Sequence, residues 1–267
     1  MGEQMEKTVD VNLVFAVWRR HARVWIRTWY TNILPSILEP LLYLVGFGLG
    51  VGAFIDSMEG HTYTEYIAPG IISATIMFGA FVETTWAAFV RMYYQRTWQA
   101  IAATPASATD VLVGELVWGV TKSVINSMIM FGSILAMSLI LGNGWIIEPS
   151  VFLFIIPLAI FGGFFFGGLG LMVTAYAKTI DMLNVPFFLL INPMFILAGV
   201  FFPLSQLPNA LQAVAMALPL THIGILMRAG SWGEFMPSHW WSIGYLVVGS
   251  FVFSAVGVRL CLRRIVS

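Results

Sequence analysis

The sequence predicts an all-α membrane protein. Six transmembrane helices are expected, with an N-terminal interfacial helix before them, a cytoplasmic helix after the second span and re-entrant helices between spans five and six. Three observations carry this. The 267 residues are 59% hydrophobic and only 10% charged, where soluble domains run near about 45–50% and about 25%. The mean hydropathy is +0.86, so lipid rather than water is the main solvent. The apolar runs continue unbroken over about 18 residues or more, which suits helices; barrel strands would alternate apolar and polar over about ten.

The elements follow in order. Asp10 to Asn32 carries Trp18, Trp25, Trp29 and Tyr30 among Arg19, Arg20, Arg23, Arg27 and His21. That mixture suits the headgroup level, so an interfacial helix is expected over 10–32. It serves either as an anchor that fixes topology or as a gate or contact for a cytoplasmic partner. Residues 1–32 lack an apolar core with a small-residue cleavage site, so no removable signal peptide is expected. Apolar stretches bounded by charge then place spans at 33–55, 67–90, 118–141, 151–175, 185–202 and 240–258.

Between spans two and three, Arg91 to Asp110 is the longest connection on its side. It fits a short amphipathic helix from Arg91 to about Ala103, ended by Thr104-Pro105. Its aromatics Tyr93, Tyr94 and Trp98, beside Arg91 and Arg96, either meet headgroups or fill a groove on a soluble partner. Between spans five and six, Pro203, Pro208, Pro219 and Pro237 break a region whose apolar run, Ala210 to Leu218, is too short to cross. Two short helices dipping into the outer leaflet over 203–228 are expected there, as a lid or extracellular gate.

Charge sets the orientation. Lys7, Arg19, Arg20, Arg23, Arg27, Arg91, Arg96, Lys178, Arg259, Arg263 and Arg264 fall on the side of the termini, with Lys122 close to that boundary; only Arg228 falls opposite. The positive-inside rule therefore puts both termini in the cytoplasm.

The chemistry on offer is limited. His21, His61, His222 and His239 are scattered, no HExxH occurs, and Cys261 is the single cysteine. No metal site, catalytic group or disulfide is expected. There is no GxxxxGK[ST] loop, and Gly-Lys occurs nowhere, so the chain does not hydrolyse ATP by that route. The run Gly162-Gly163 to Gly167-Gly168-Leu169-Gly170 lies in an apolar span beside Phe164, Phe165 and Phe166, where close helix packing explains it. Ionisable residues in spans are the default functional candidates, since each costs about 2.5–3.5 kcal/mol at mid-bilayer on insertion scales. Glu39, Glu83, Glu115 and Lys122 qualify. They either brace the bundle through salt bridges or line a polar cytoplasmic vestibule. Glu39, Glu83, Lys122 and Asn126 are the substrate-path candidates.

Four segments carry a family resemblance. Asn32-Ile33-Leu34-Pro35 and Leu38-Glu39-Pro40-Leu41-Leu42-Tyr43-Leu44 open the first span, and Tyr66-Ile67-Ala68-Pro69-Gly70 opens the second. Gly114-Glu115-Leu116 precedes the third; Ala198-Gly199-Val200-Phe201-Phe202-Pro203, followed by Leu207-Pro208, closes the fifth. With these the chain resembles the integral-membrane subunits of type-2 ABC exporters, particularly the branch containing the nodulation-factor exporter NodJ.

The resemblance implies a permease in the bacterial inner membrane, not itself an enzyme. It would be a homodimer or paired with a related permease, clamped by a cytoplasmic ABC ATPase dimer and surrounded by membrane lipids, with no nucleic acid. No cofactor would be bound directly; ATP and Mg would act through the ATPase. Residues 91–105 would be the coupling helix, with Arg91, Tyr93, Tyr94, Arg96 and Trp98 meeting the ATPase. Phe201, Phe202, Pro203, Pro219 and His222 would form the extracellular gate. The cargo would be amphiphilic: a lipo-oligosaccharide, a glycolipid or a drug-like molecule. An ATPase-independent channel or secondary carrier is the alternative, although no acid relay or internal repeat is visible. A lipid-processing intramembrane enzyme would need paired acids or histidines at one depth, and the histidines are scattered.

Overall fold

The computed structural model describes residues 9–102, 106–142 and 144–266, without side-chain detail at residues 32, 35–37, 39, 40, 99, 102 and 266. Among the described residues the regular structure is helical, apart from one antiparallel bridge between Met58 and His61.

Helix α1 (Val11–Arg27) starts at Asp10, whose carboxylate accepts from the backbone N–H of Asn12 at 2.8 Å. The Asp10 N–H in turn donates to Asp110 at 2.9 Å, tying this start to that of α5 (Ala108–Leu141). Asp110 also closes a capping box with Ser107, so one carboxylate serves two helix starts. Further along, Val17 seats on Gly114, where an added Cβ would lie 2.7 Å from the valine side chain. Trp18 Nε1 donates to Thr121 at 2.9 Å. The expected interfacial helix is thus packed along α5, and Val11, Phe15 and Ile26 remain exposed on its other face.

Helix α2 (Trp29–Tyr43) runs on as π-helical turns over Leu44–Val51 and a 3-10 turn over Gly52–Phe54. Gly46, Gly48, Gly50 and Gly52 fall in this wide stretch, and the Gly48 carbonyl accepts from Thr64 at 2.9 Å. Helix α3 (Tyr63–Val82) begins on a Thr62–Glu65 capping box, tolerates Pro69, and extends through π-helical turns at Glu83–Ala87 and Val90–Tyr94. It is the central element: 83% of its apolar stretch is buried, against 22% in each of the last two spans. Arg96, at φ 50°, then turns the chain into the short α4 (Thr97–Ala102). Thr104 and Pro105, the expected end of that helix, lie outside the described residues.

Helix α5 begins ten residues before the expected third span and ends on Gly142, at φ 67°. Helix α6 (Phe152–Tyr176) carries the glycine run as a packing face. A Cβ on Gly163 would meet the Val120 backbone at 3.0 Å, one on Gly162 would meet Ile76 and Ile223, and one on Gly168 would strike the backbone of Phe253 and Ser254. Four neighbouring helices therefore approach α6 through positions that have no side chain.

Helix α7 (Ile180–Leu197) mixes 3-10, α and π turns. Beyond its end, Gly199, at φ 77°, turns the chain toward Phe201-Phe202-Pro203. Helices α8 (Asn209–Met216) and α9 (Pro219–Trp232) meet at 86°. The last helix, α10 (His239–Val266), lies along α6.

Among the described residues, five helices are long and apolar enough to cross a membrane: Tyr63–Tyr94, Ala108–Leu141, Pro149–Tyr176, Ile180–Leu197 and His239–Ile265. The bent α8–α9 pair would make six. The expected first span, 33–55, is helical through Phe54, but its apolar stretch among the described residues is the shorter Leu41–Phe54.

Candidate functional site

A cavity of about 1100 Å³ opens between α1, α2, α3, α5 and α7. Its lining includes Phe78, whose ring lies 6.2 Å from Phe187 and 5.4 Å from Phe195, together with the polar Thr28, Thr31, Thr75, Lys122, Asn126 and Asn192. Its aromatic lining includes Trp25, Tyr43, Trp86 and Trp118. Gly79 lets the two central helices close at this level, since a Cβ there would lie 3.2 Å from the Asn126 amide nitrogen. Glu83, Lys122 and Asn126 are thus brought into one space. The Glu39 side chain lies outside the described residues.

One end of this cavity is bordered by a buried ion network. Arg91 Nη1 donates to Glu83 at 2.8 Å, and its Nη2 and Nε reach Glu115 at 2.6 Å and 3.0 Å. Glu115 is fully buried. It also accepts from Trp98 Nε1 at 2.8 Å, and His21 Nε2 lies 3.2 Å away, at ion-pair distance but outside hydrogen-bonding geometry. One carboxylate on α5 therefore gathers groups from α1, from the π-helical end of the second span, and from α4. Planar guanidinium and carboxylate forks make such a contact directional as well as strong.

This geometry sorts the expected coupling residues. Arg91 and Trp98 point into the protein, and Trp98 is only 1% exposed. Neither is placed to fill a groove on another protein; the physical reason is Glu115, which supplies acceptors for both. Tyr93 and Tyr94 are 54% and 60% exposed, and Arg96 is exposed beside them. The helix expected from Arg91 to about Ala103 is instead π-helical to Tyr94, broken at Gln95-Arg96, and helical again from Thr97.

The expected gate residues divide into two clusters. The Phe201 ring lies 4.9 Å from Phe47 and 5.0 Å from Phe195, and its carbonyl accepts from Tyr63 at 3.1 Å. Phe202 is half-buried and Pro203 buried beside it in the chain. Pro219 opens α9, where its missing N–H costs nothing. One turn on, His222 is buried, bonded to Ser242 and the Met216 carbonyl at 3.0 Å each, with its ring tilted against that of Tyr245 at 4.2 Å between centroids. Arg228 lies over the Tyr66 ring at 4.2 Å and donates to the carbonyls of Tyr66 and Gly199, which anchors the turn after α7 to the start of α3.

No group of three or more His, Cys, Asp or Glu among the described residues is placed to hold a metal ion. Sequence reasoning did not single out Trp25, Thr28, Trp118 or Arg228 for the site. The signal was helical spacing: His21, Trp25 and Thr28 recur on one face of α1, as Trp118, Lys122 and Asn126 do on α5.

Against known families, residues 12–232 match the model of the ABC-2 type transporter. The chain belongs to the ABC-2 type transporter family. It is 34% identical to Nodulation protein J of Rhizobium leguminosarum bv. viciae over 250 residues, 94% of each chain. To Nodulation protein J of Sinorhizobium fredii it is 35% identical over 214 residues, 80% of this chain and 79% of that one. It is also 24% identical to the inner membrane transport permease YadH of Escherichia coli over 219 residues, 82% of each. This ABC-2 chain is therefore a multi-pass permease of an ABC transporter system, a class that moves cargo and leaves ATP hydrolysis to an ATPase.

Proposed function

We propose that this permease exports an amphiphilic cargo from the cytoplasm or the inner leaflet through the cavity between α1, α2, α3, α5 and α7. The cavity itself carries the reading. It brings Lys122 and Asn126 together with the phenylalanine cluster Phe78, Phe187 and Phe195 in one lining, so headgroup and tail each find matching surface. A lipo-oligosaccharide, a glycolipid or a drug-like amphiphile fits that division.

The chain would sit in the bacterial inner membrane with both termini in the cytoplasm. Trp29–Phe54 would complete six crossings, and the α8–α9 pair would re-enter from the outside together with Phe201, Phe202 and Pro203. Two copies, or one with a related permease, would be clamped by two ATPase subunits that bind ATP and Mg. The exposed edge Tyr93-Tyr94-Gln95-Arg96 would meet the ATPase. A push there would reach α1 and α5 through Trp98, Arg91 and Glu115, because a packed ion network shifts as a unit.

The test is co-expression with the neighbouring candidate ATPase, purification through a tag on the permease, and ATP hydrolysis in lipid. Replacing Tyr93 and Tyr94 together with alanine should lower hydrolysis at least fivefold while the permease still folds. A permease that purifies without any ATPase and still moves solutes across vesicles would replace this reading with a channel or secondary carrier.

A further inference from the structure

We propose that the cavity selects an anionic amphiphile, with Lys122 taking the headgroup charge; this rests on the reading of the cavity as the cargo site. The observation is a surplus of unanswered donors. Lys122 is 6% exposed, yet among the described residues no carboxylate lies within ion-pair distance of its ammonium and no acceptor bonds it; its contact is the Trp25 ring face at 5.7 Å. An ammonium carries three donors and no acceptor, and on this largely buried side chain they are open to the cavity that Lys122 lines. The Trp25 indole N–H, in the same lining, is buried without an acceptor as well.

The carboxylates nearby do not meet that need. Glu83 is engaged by Arg91 at 2.8 Å, and Glu115 is closed off beneath Arg91 and Trp98. Among the described side chains, Arg20, Arg91 and Lys122 line the cavity with Glu83; adding Glu115 behind them leaves three cations against two carboxylates. A phosphate, sulfate or carboxylate headgroup brings acceptors for Lys122 and Trp25, with Asn126 one helical turn further along. The phenylalanine cluster in the same lining then receives the tail.

The experiment titrates the purified permease, in a neutral detergent, with dihexanoyl phosphatidic acid, dihexanoyl phosphatidylcholine and inorganic phosphate. Binding is read by calorimetry. Phosphatidic acid should bind at least tenfold more tightly than the zwitterionic lipid and than inorganic phosphate. Lys122→Gln should weaken phosphatidic acid binding about tenfold, about 1.4 kcal/mol, and Lys122→Arg should restore most of it. Asn126→Asp keeps the lysine and sets a carboxylate one turn away, so it should erase the preference; it decides the matter if Lys122→Gln elutes as aggregate.

Equal affinity for the two lipids, or unchanged binding in both Lys122→Gln and Asn126→Asp, overturns the proposal. So does inorganic phosphate binding as tightly as phosphatidic acid, which would mark a free-anion site. ATPase association is a separate readout, so its loss would count against the exporter reading and leave this result standing.

Discussion

Glu115 shows at the residue scale why position outweighs residue type. A carboxylate in an apolar span is costly unless paired, and here Arg91, Trp98 and His21 surround it. Removing one partner of a buried pair typically costs about 3–5 kcal/mol, because the other charge stays buried. Glu115→Gln keeps the shape and should lower stability by about that amount, whereas Trp98→Phe removes one charge-assisted hydrogen bond and should cost about 1.5–3 kcal/mol. Thermal unfolding of the purified permease checks both; wild-type midpoints in both variants would contradict the network. Glu83 and Lys122 were legible in the sequence because ionisable groups stand out in apolar spans. The inward turn of Arg91 was not, since a charge at the end of a span reads equally as one that snorkels to water. His21 and Trp25 were hidden among other basic and aromatic residues that suit the headgroup region.

Whole helices were easier to read than their ends and faces. Hydropathy located the long spans, but α5 starts at Ala108 rather than 118 because Asp110 and Glu115 are sheltered by contacts with α1, α3 and α4. No single-strand reading of apolarity registers such shelter. The π-helical turns at Leu44–Val51, Glu83–Ala87, Val90–Tyr94 and Phe187–Ile191 shift which residues share a face, and regular 3.6-residue periodicity misses that shift. The glycine run was legible, because small residues in an apolar span have a packing use. A Cβ at Gly168 would run into the backbone of α10, which cannot swing aside as a flexible side chain does. Gly168→Ala should therefore lose about 1–3 kcal/mol, while Gly132→Ala, with open space around it, should stay within about 0.5 kcal/mol of wild type. Equal midpoints for the two variants would remove α6 from its role as the close-packed helix.

Over the whole molecule, composition and unbroken apolar runs were enough to predict a multi-spanning helical protein, and the family match agrees with that class. The cavity was not legible, because it forms where five separated segments converge and each contributes only a few side chains. The central claim is that cargo passes through this space. Asn126→Trp would fill it from α5 without touching the exposed Tyr93-Tyr94 edge. The decisive measurement is ATP-driven uptake of a labelled lipo-oligosaccharide or glycolipid into inside-out vesicles that hold the permease with its ATPase. Uptake should fall at least tenfold in Asn126→Trp while the two proteins still purify together. Uptake at the wild-type rate with the cavity filled would contradict the account.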